Sequence, residues 1–166
     1  MKYFFTGLVV CFTLLSCSNY YYIVRHAEKA AQGQNMSSDV PLTEAGEQRA
    51  AALKEVLENK HIKSIYSTNT IRTKSTAQPT ADFFGLSINK YGPRPDSSFI
   101  NLLKSKKENV LIVGHSNTVD DIVNMLCGEA KIPNDLADHQ YDNLFVVKRK
   151  GQKFTFLPQK FGKPSE

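Results

Sequence analysis

The chain has few cysteines, and their positions argue against a disulfide framework. Cys11 lies inside an apolar run at the N-terminus and Cys17 follows its end, which leaves Cys127 alone in the rest of the sequence. Small exported domains that depend on disulfides carry several cysteines that can pair. Cys127 belongs to an apolar helical pattern with no histidine near it in sequence, so we interpret it as a buried helix residue and not as a nucleophile.

Three common kinds of functional site are also missing from the sequence. The histidines at positions 26, 61, 115 and 139 show no metal-ligand spacing. No Gly-x-Ser-x-Gly nucleophile elbow is present. No basic stretch is interleaved with aromatic residues, so the net charge of +5 supports nucleic-acid binding only weakly. We therefore expect no metal, no cofactor and no nucleic acid; the mild positive charge favours an anionic ligand or surface.

The first 17 residues have the pattern of a bacterial lipoprotein signal peptide. Lys2 supplies a positive charge, and the apolar run from Tyr3 to Leu15 is too short to span a bilayer. The segment that ends at Cys17 resembles a lipobox, in which the cysteine becomes the lipidated first residue of the mature chain; an ordinary secretory leader is the alternative. We predict a signal peptide over residues 1–17, a single domain over 18–166, and a membrane-anchored lipoprotein of the cell envelope that faces the periplasm.

Apolar strand patterns alternate with amphipathic helix patterns along the remaining chain. Apolar residues make up 41% and charged residues 22%, which is ordinary for a globular domain. The alternation predicts an α/β fold with a mainly parallel central sheet between two helical layers. Pro79 falls inside one helical pattern, where we expect a kink or a break. The predicted strands start near residues 20, 61, 86, 109, 144 and 154, and the predicted helices near residues 43, 70, 96 and 118.

The most informative stretch runs from Tyr20 to Lys29. An aromatic and β-branched run, typical of a buried strand, stops at Arg25 and His26. Ligands of open α/β sheets bind at the carboxyl ends of the strands. Arginine offers a planar fork of donors that suits phosphate or carboxylate, and histidine can act as a nucleophile or an acid–base group near neutral pH. This strand end is therefore a candidate site.

Three further segments follow it in a recognisable order. They are Leu42-Thr43-Glu44-Ala45-Gly46-Glu47-Gln48-Arg49-Ala50, then residues 67–77 with Arg72, and then Val113-Gly114-His115-Ser116-Asn117. Together with the Arg25-His26 strand end, this ordered set resembles the histidine phosphatase superfamily, the phosphoglycerate-mutase-like proteins. The resemblance implies a three-layer α/β/α fold of that type and a phosphatase that works through a phosphohistidine intermediate.

The resemblance also implies roles for individual residues. His26 is expected to accept the phosphoryl group, and Arg25, Arg72 and His115 are expected to surround its oxygens. Each follows the carboxyl end of a strand, so residues distant in sequence can converge. Two weaker candidates for substrate binding are Ser67, for which a helix cap or a turn is the alternative, and Asn117, for which a helix cap is the alternative.

The general acid stays open at this point. Glu28 can orient Arg25 or Arg72, or donate the proton itself. Asp96 has an N-cap as its alternative role, and Asp120, Asp121 and Asp39 are further carboxylates near the motifs. The expected partners are a phosphorylated small molecule or phosphoprotein as substrate, and the membrane through an N-terminal lipid. A non-catalytic phosphate- or phosphosugar-binding lipoprotein and a mutase-type phosphotransferase are the alternative functions.

Overall fold

Six strands form one mixed sheet in the computed structural model, which describes residues 18–33 and 39–165. Four helices connect and cover these strands within the described residues. In chain order the elements are β1 Ser18–Arg25, α1 Glu44–Leu57, β2 Ile62–Ser67, α2 Ile71–Phe84, β3 Ile88–Lys90, α3 Ser97–Ser105, β4 Asn109–Gly114, α4 Val119–Cys127, β5 Asn143–Lys150 and β6 Lys153–Lys160.

The strand order confirms the predicted α/β class. The sheet runs β3-β2-β4-β1-β5-β6, and the four strands from β3 to β1 are mutually parallel. The last two strands form an antiparallel hairpin that adds to β1 through β5. Both hairpin strands extend beyond the apolar segments that indicated them, because their charged and polar ends also take part in the ladder.

The central strands are buried on both faces, which explains their unbroken apolar sequences. Successive side chains of a strand point to opposite faces. Tyr21 and Ile23 accordingly pack in one core with α3 and α4, while Tyr22 and Val24 pack in a second core with α1 and α2. Cys127 is half-buried against the first core, and its burial raises the pKa of its thiol.

The break considered at Pro79 is absent. Helix α2 continues through Pro79, and Ala77 and Ala81 on either side of it are buried against the second core. In α3 the residues that face the sheet include Ile100, whereas the apolar side chain of Leu102 is 42% exposed. Packing on the sheet decided the orientation of this short helix, since several of its faces carry apolar residues.

The parallel strands place their carboxyl ends at one edge of the sheet, and residues 25 and 114 are paired in adjacent strands. Their amino ends, including Ser18, lie at the opposite edge. The proposed lipobox and Cys17 lie outside the described residues. Within those residues, no helix combines the length and apolarity needed to cross a membrane.

Candidate active site

The carboxyl edge of the sheet brings His26, His115, Arg25 and Arg72 together. The ring centroids of His26 and His115 lie 5.6 Å apart, nearly edge to face. The backbone amide of His26 donates to the carbonyl of Gly114 at 2.9 Å, which extends the β1–β4 ladder into the site. Arg72, in the first turn of α2, reaches His115 with its Nη2 at 3.4 Å from Nδ1. Residues that follow three strands therefore meet in one place.

His26 is held in one tautomer. Its Nδ1 lies 2.8 Å from the carbonyl oxygen of Ala27, and since a carbonyl only accepts, Nδ1 carries the hydrogen and Nε2 keeps its lone pair. The amide of Ala27 is in turn bonded to Thr76 Oγ1 at 2.9 Å, which fixes this turn of backbone. Burial, and then the positive charges of Arg25 and Arg72, lower the pKa of His26 to about 3. The ring is therefore neutral at physiological pH, with Nε2 available as a nucleophile.

His115 is oriented through both of its nitrogens. Arginine can only donate, so Nδ1 accepts from Arg72, and Nε2 must then donate to Thr68 Oγ1 at 2.9 Å. The backbone amide of His115 donates to Thr118 Oγ1 at 3.0 Å. Burial and the charges of Arg72 and Arg25 lower the pKa of His115 to about 4. The second ring is therefore neutral as well.

Arg25 is immobilised by a loop between α4 and β5. Its Nη1 donates to the carbonyls of Ala137 at 2.8 Å, Asp138 at 3.2 Å and Gln140 at 3.4 Å. Its Cζ lies 4.2 Å from the ring centroid of Tyr141, a cation–π contact. Its Nε is buried and has no hydrogen-bond partner among the described residues. The contacts of Nη1 thus fix the position of the guanidinium, and the buried Nε remains as a donor for an anion.

The loop that holds Arg25 is itself fastened by the C-terminal tail. The amides of Tyr141 and Asp142 both donate to Ser165 Oγ, at 2.8 and 3.0 Å, and the amide of Ser165 donates to Asp142 Oδ2 at 3.3 Å. Arg49 Nη1 donates to the carbonyl of Lys163 at 2.9 Å. We call this arrangement the tail clasp; it connects residues 161–165 to the backbone beneath Arg25.

Among the described hydrogen bonds and ion pairs, the Glu28 carboxylate pairs with Arg49 and not with Arg25 or Arg72, the partners considered for it from the sequence. Its two carboxylate oxygens accept from Arg49 Nε at 2.8 and 2.9 Å, and Arg49 Nη2 adds an ion pair at 2.7 Å. The two side chains are 23% and 6% exposed, so this bidentate pair is largely shielded from water. Sequence spacing gave no sign of it, because Arg49 comes from the middle of α1.

The start of α1 is pressed against the backbone of Glu28. The amide and the hydroxyl of Thr43, the N-cap of the helix, both donate to the Glu28 carbonyl, at 2.9 and 3.3 Å. A Cβ added to Gly46 would stand 2.2 Å from that carbonyl oxygen. The glycine of the second motif is therefore required by a close approach of helix and strand end, which sets the position of Glu28 beside the site.

The two proposed substrate-binding residues occupy different surroundings from each other. Ser67 is fully buried and its hydroxyl donates to the carbonyl of Thr68 at 2.9 Å, so this hydroxyl has an internal partner. The hydroxyl that reaches His115 belongs to the next residue, Thr68, and the N-cap of α2 is Thr70. Asn117 lies exposed in the turn before α4, whose cap position is Thr118. The helix-cap alternatives for Ser67 and Asn117 were therefore both wrong.

Three of the five acid candidates lie in surroundings other than those of His26 and His115. Asp96 is the N-cap of α3 and accepts from the amide of Phe99 at 2.8 Å. Asp120 is buried in α4, where burial raises the pKa of its carboxyl and the other charges acting on it are those of Asp121 and Asp135. Among the described contacts, Asp121 has none with His26 or His115. The structure therefore gives no geometric support to these three residues as proton donors.

The carboxylate with a described link to the second histidine is Asp39. Its Oδ1 lies 3.6 Å from Arg72 Nη1 and accepts from the amide of Ile71 at 2.7 Å. Its negative charge acts on His115, where it opposes the lowering of the pKa. Asp39 was one of several options in the sequence, and its importance depends on the folding of the loop after β1 onto the start of α2.

Two contributors to the site were missed by sequence reasoning. Thr68 follows directly after β2 in the third motif, so its position at a strand end was a usable signal. Tyr141, by contrast, lies in a polar connection with no motif around it, and its ring stands 6.3 Å from that of His26. Only the folded loop reveals that Tyr141 lies beneath Arg25.

A cavity of about 640 Å³ opens beside the site. Glu28 and Tyr141 belong to its wall, and Ala45, Ala52 and Pro164 supply apolar surface. This volume is in the range that accommodates a small organic ligand. The cavity shares Tyr141 with the surroundings of His26 and is bounded by the tail clasp on one side.

Comparison with known proteins gives the same architecture. Residues 21–92 match the model of the histidine phosphatase superfamily (branch 1), and no curated protein matches the chain in sequence. The tungstate complex of the protein histidine phosphatase SixA is similar with a TM-score of 0.67, 20% identity, and coverage of 85% of this chain and 96% of that one. SixA from Agrobacterium tumefaciens is similar with a TM-score of 0.65 and 20% identity, over 87% of this chain and 98% of that one. A phosphoglycerate mutase from Bacillus anthracis is similar with a TM-score of 0.61 and 15% identity, over 87% of this chain and 93% of that one. The fold is therefore phosphoglycerate-mutase-like.

Proposed function

We propose that the chain is a phosphatase of the histidine phosphatase superfamily, which hydrolyses a phosphomonoester or a phosphohistidine through a phosphohistidine intermediate on His26. The observation that carries this proposal is the state of His26: a neutral ring whose Nδ1 is occupied by the Ala27 carbonyl and whose Nε2 is free to attack. Arg25, Arg72 and His115 surround it with donors. This combination suits phosphoryl transfer, which depends mainly on positioning and charge stabilisation.

In the first step, Nε2 of His26 forms a bond to phosphorus while the bond from phosphorus to the leaving group breaks. The Nε of Arg25 and the guanidinium of Arg72 would bind the phosphoryl oxygens as their charge increases, and the leaving group takes up a proton. In the second step, water attacks phosphorus, the N–P bond breaks, and inorganic phosphate is released. His26 then returns to its neutral tautomer, held by Ala27.

The ring nitrogens of His26 and His115 have no carboxylate partner among the described residues; their described partners are Ala27, Thr68 and Arg72. This arrangement favours substrates whose leaving group departs without a strong acid. The imidazole released from a phosphohistidine has a conjugate acid with a pKa near ~6.5, which makes it a far better leaving group than an alcohol. We therefore propose phosphohistidine as the preferred substrate class. Asp39, which contacts Arg72 beside His115, is the carboxylate that we propose for proton transfer.

The first test is detection of the intermediate. The wild-type chain, incubated with p-nitrophenyl phosphate and quenched, should carry phosphate on His26 that is labile to acid and stable to base. The His26→Ala variant should lose about 10³-fold or more in kcat/KM, equivalent to ~4 kcal/mol. As a matched control, His61→Asn changes an exposed histidine with positive φ before β2, at the opposite edge of the sheet, and should keep wild-type turnover.

The outcomes are separable. Near-normal turnover of His26→Ala would refute the mechanism. Tight phosphate binding with no turnover of p-nitrophenyl phosphate, phosphohistidine peptide or alkyl phosphates would favour the non-catalytic binder. A phosphatase that cleaves alkyl phosphates as rapidly as phosphohistidine would leave the mechanism in place but refute the proposed substrate class.

A further inference from the structure

The edge of the sheet opposite the candidate site carries a cluster of exposed lysines. We define the basic face as Lys60, Lys107, Lys150 and Lys153, each of which is exposed. Lys150 pairs with Ser18, the first residue of β1, and with Lys153 across the β5–β6 turn. The four side chains therefore come from the connection after α1, the connection after α3, and the two strand ends that flank the β5–β6 turn.

Hydrogen bonds hold two of these connections against the start of β1. Asn109 Oδ1 accepts from the amide of Tyr20 at 2.9 Å, and its Nδ2 donates to the carbonyl of Lys60 at 2.6 Å. Lys107 lies two residues before Asn109 in the same connection. The basic face is thus built around the point where the described chain begins at Ser18.

The surroundings of this face strengthen its positive charge. Arg149 donates to the carbonyl of Gly151, and Lys148 lies 5.7 Å from the ring centroid of Tyr20, so both cations are positioned near the same end. Three acidic side chains at this end pair with lysines outside the face: Glu58 with Lys54, Glu108 with Lys106, and Glu129 with Lys131. Glu55 of α1 and Asp82 of α2 are exposed.

We infer that the basic face docks on an anionic phospholipid surface. The 17 residues that precede Ser18 contain the apolar run from Tyr3 to Leu15, and they join the domain at this face. Each lysine near an anionic bilayer contributes about 1 kcal/mol, or about fivefold in binding, so four lysines supply a substantial attraction. This inference does not depend on the proposed catalytic activity.

Docking through this face determines where the candidate site points. Strand β1 spans eight residues from Ser18 to Arg25, a length of about 25 Å at ~3.3 Å per residue. His26 and the cavity lie at or near the far end of that strand. A domain seated on its basic face would therefore open its candidate site toward the aqueous phase.

Lysine footprinting on the full-length chain tests the inference. The chain would be reconstituted into vesicles of phosphatidylcholine alone or of phosphatidylcholine with phosphatidylglycerol, and exposed lysines acetylated with a membrane-impermeant reagent and quantified by mass spectrometry. In the anionic vesicles the four lysines of the basic face should react at least about fivefold more slowly than in the neutral ones. Lys29, Lys90 and Lys163, exposed residues toward the opposite edge, should react equally in both and serve as internal controls.

Charge-removing variants provide the second measurement. Replacing all four lysines of the basic face by glutamine should reduce the preference for anionic over neutral vesicles by at least about tenfold. A matched variant with Lys29, Lys90, Arg94 and Lys163 replaced by glutamine should reduce it by less than about twofold. Circular dichroism and Tm would establish that both variants are folded. Three outcomes would each overturn the inference. The lysines of the basic face could react equally in both lipids, the two variants could have equal effects, or the lysines could be protected only by an added oligonucleotide.

Discussion

The two arginines beside His26 are held in different ways. Arg25 is 3% exposed, and three backbone carbonyls and the ring of Tyr141 fix its guanidinium before any ligand arrives. Arg72 is more exposed, and its described partners are His115 and Asp39, at 3.4 and 3.6 Å. The imidazole of His115 can change protonation state, whereas backbone carbonyls cannot. The comparison indicates that the candidate phosphoryl site has a rigid wall formed by Arg25 and an adjustable wall formed by Arg72.

The largest expected change in kcat/KM follows from replacing each arginine by lysine. In the native chain the guanidinium of Arg25 contacts carbonyls through Nη1 and keeps Nε for the ligand. Arg25→Lys removes both groups, so we expect kcat/KM to fall about 100-fold, or ~2.7 kcal/mol. Arg72→Lys also loses bidentate geometry but keeps a charge near adaptable partners, so about tenfold, or ~1.4 kcal/mol, is expected. Steady-state kinetics with p-nitrophenyl phosphate would measure both. Equal losses would refute the distinction between the two walls.

A smaller loss of kcat/KM should follow from removing a contact of the tail clasp, which holds the loop beneath Arg25. Ser165→Ala removes the oxygen that accepts from the amides of Tyr141 and Asp142, and we expect kcat/KM to fall about three- to tenfold as Arg25 loses its fixed position. Ser165→Thr keeps the hydroxyl and should restore most of the activity.

Double variants show whether the tail clasp acts through Arg25. Combining Ser165→Ala with Arg25→Lys should cost little more than Arg25→Lys alone, because the clasp then has no arginine to position. Combination with Arg72→Lys should give additive losses, within about 0.5 kcal/mol. Additivity in both pairs would mean that the tail contributes only general stability.

The smallest effect concerns pH and the two histidines. Their pKa values are lowered to about 3 for His26 and about 4 for His115, below the value near ~6.5 expected in the unfolded chain. The unfolded state therefore binds more protons in this range, so the stabilising contribution is complete above pH ~6.5 and is lost as the pH falls toward about 4. We expect Tm to decrease by several degrees between pH 7 and pH 4.5, and less in the His115→Gln variant. An equal decrease in that variant would contradict the assignment of a neutral, buried His115.

The parts of the fold that sequence predicted well are those with local signals. The apolar run of β4 and the strand that ends at Arg25 follow from residue pattern alone, and the order of strands and helices then brings His26 and His115 to one edge. The predictions that failed concern which side chains contact each other in the folded chain. Glu28 pairs with Arg49, which lies 21 residues away in sequence, and the hydroxyl that contacts His115 belongs to Thr68, a residue for which no role was predicted. Such contacts depend on how helices pack on the sheet, which periodicity does not specify.

The close approach of α1 to the Glu28 carbonyl limits how this protein can be engineered. Replacement of helical glycines by alanine is a standard route to thermostable variants, since helix propensity alone favours alanine by about 1 kcal/mol. At position 46 the same change would place a methyl group 2.2 Å from a carbonyl oxygen and push the helix away from the strand end. Gly46 should therefore be left unchanged in a library of stabilising variants, although its position inside a helix suggests replacement by alanine.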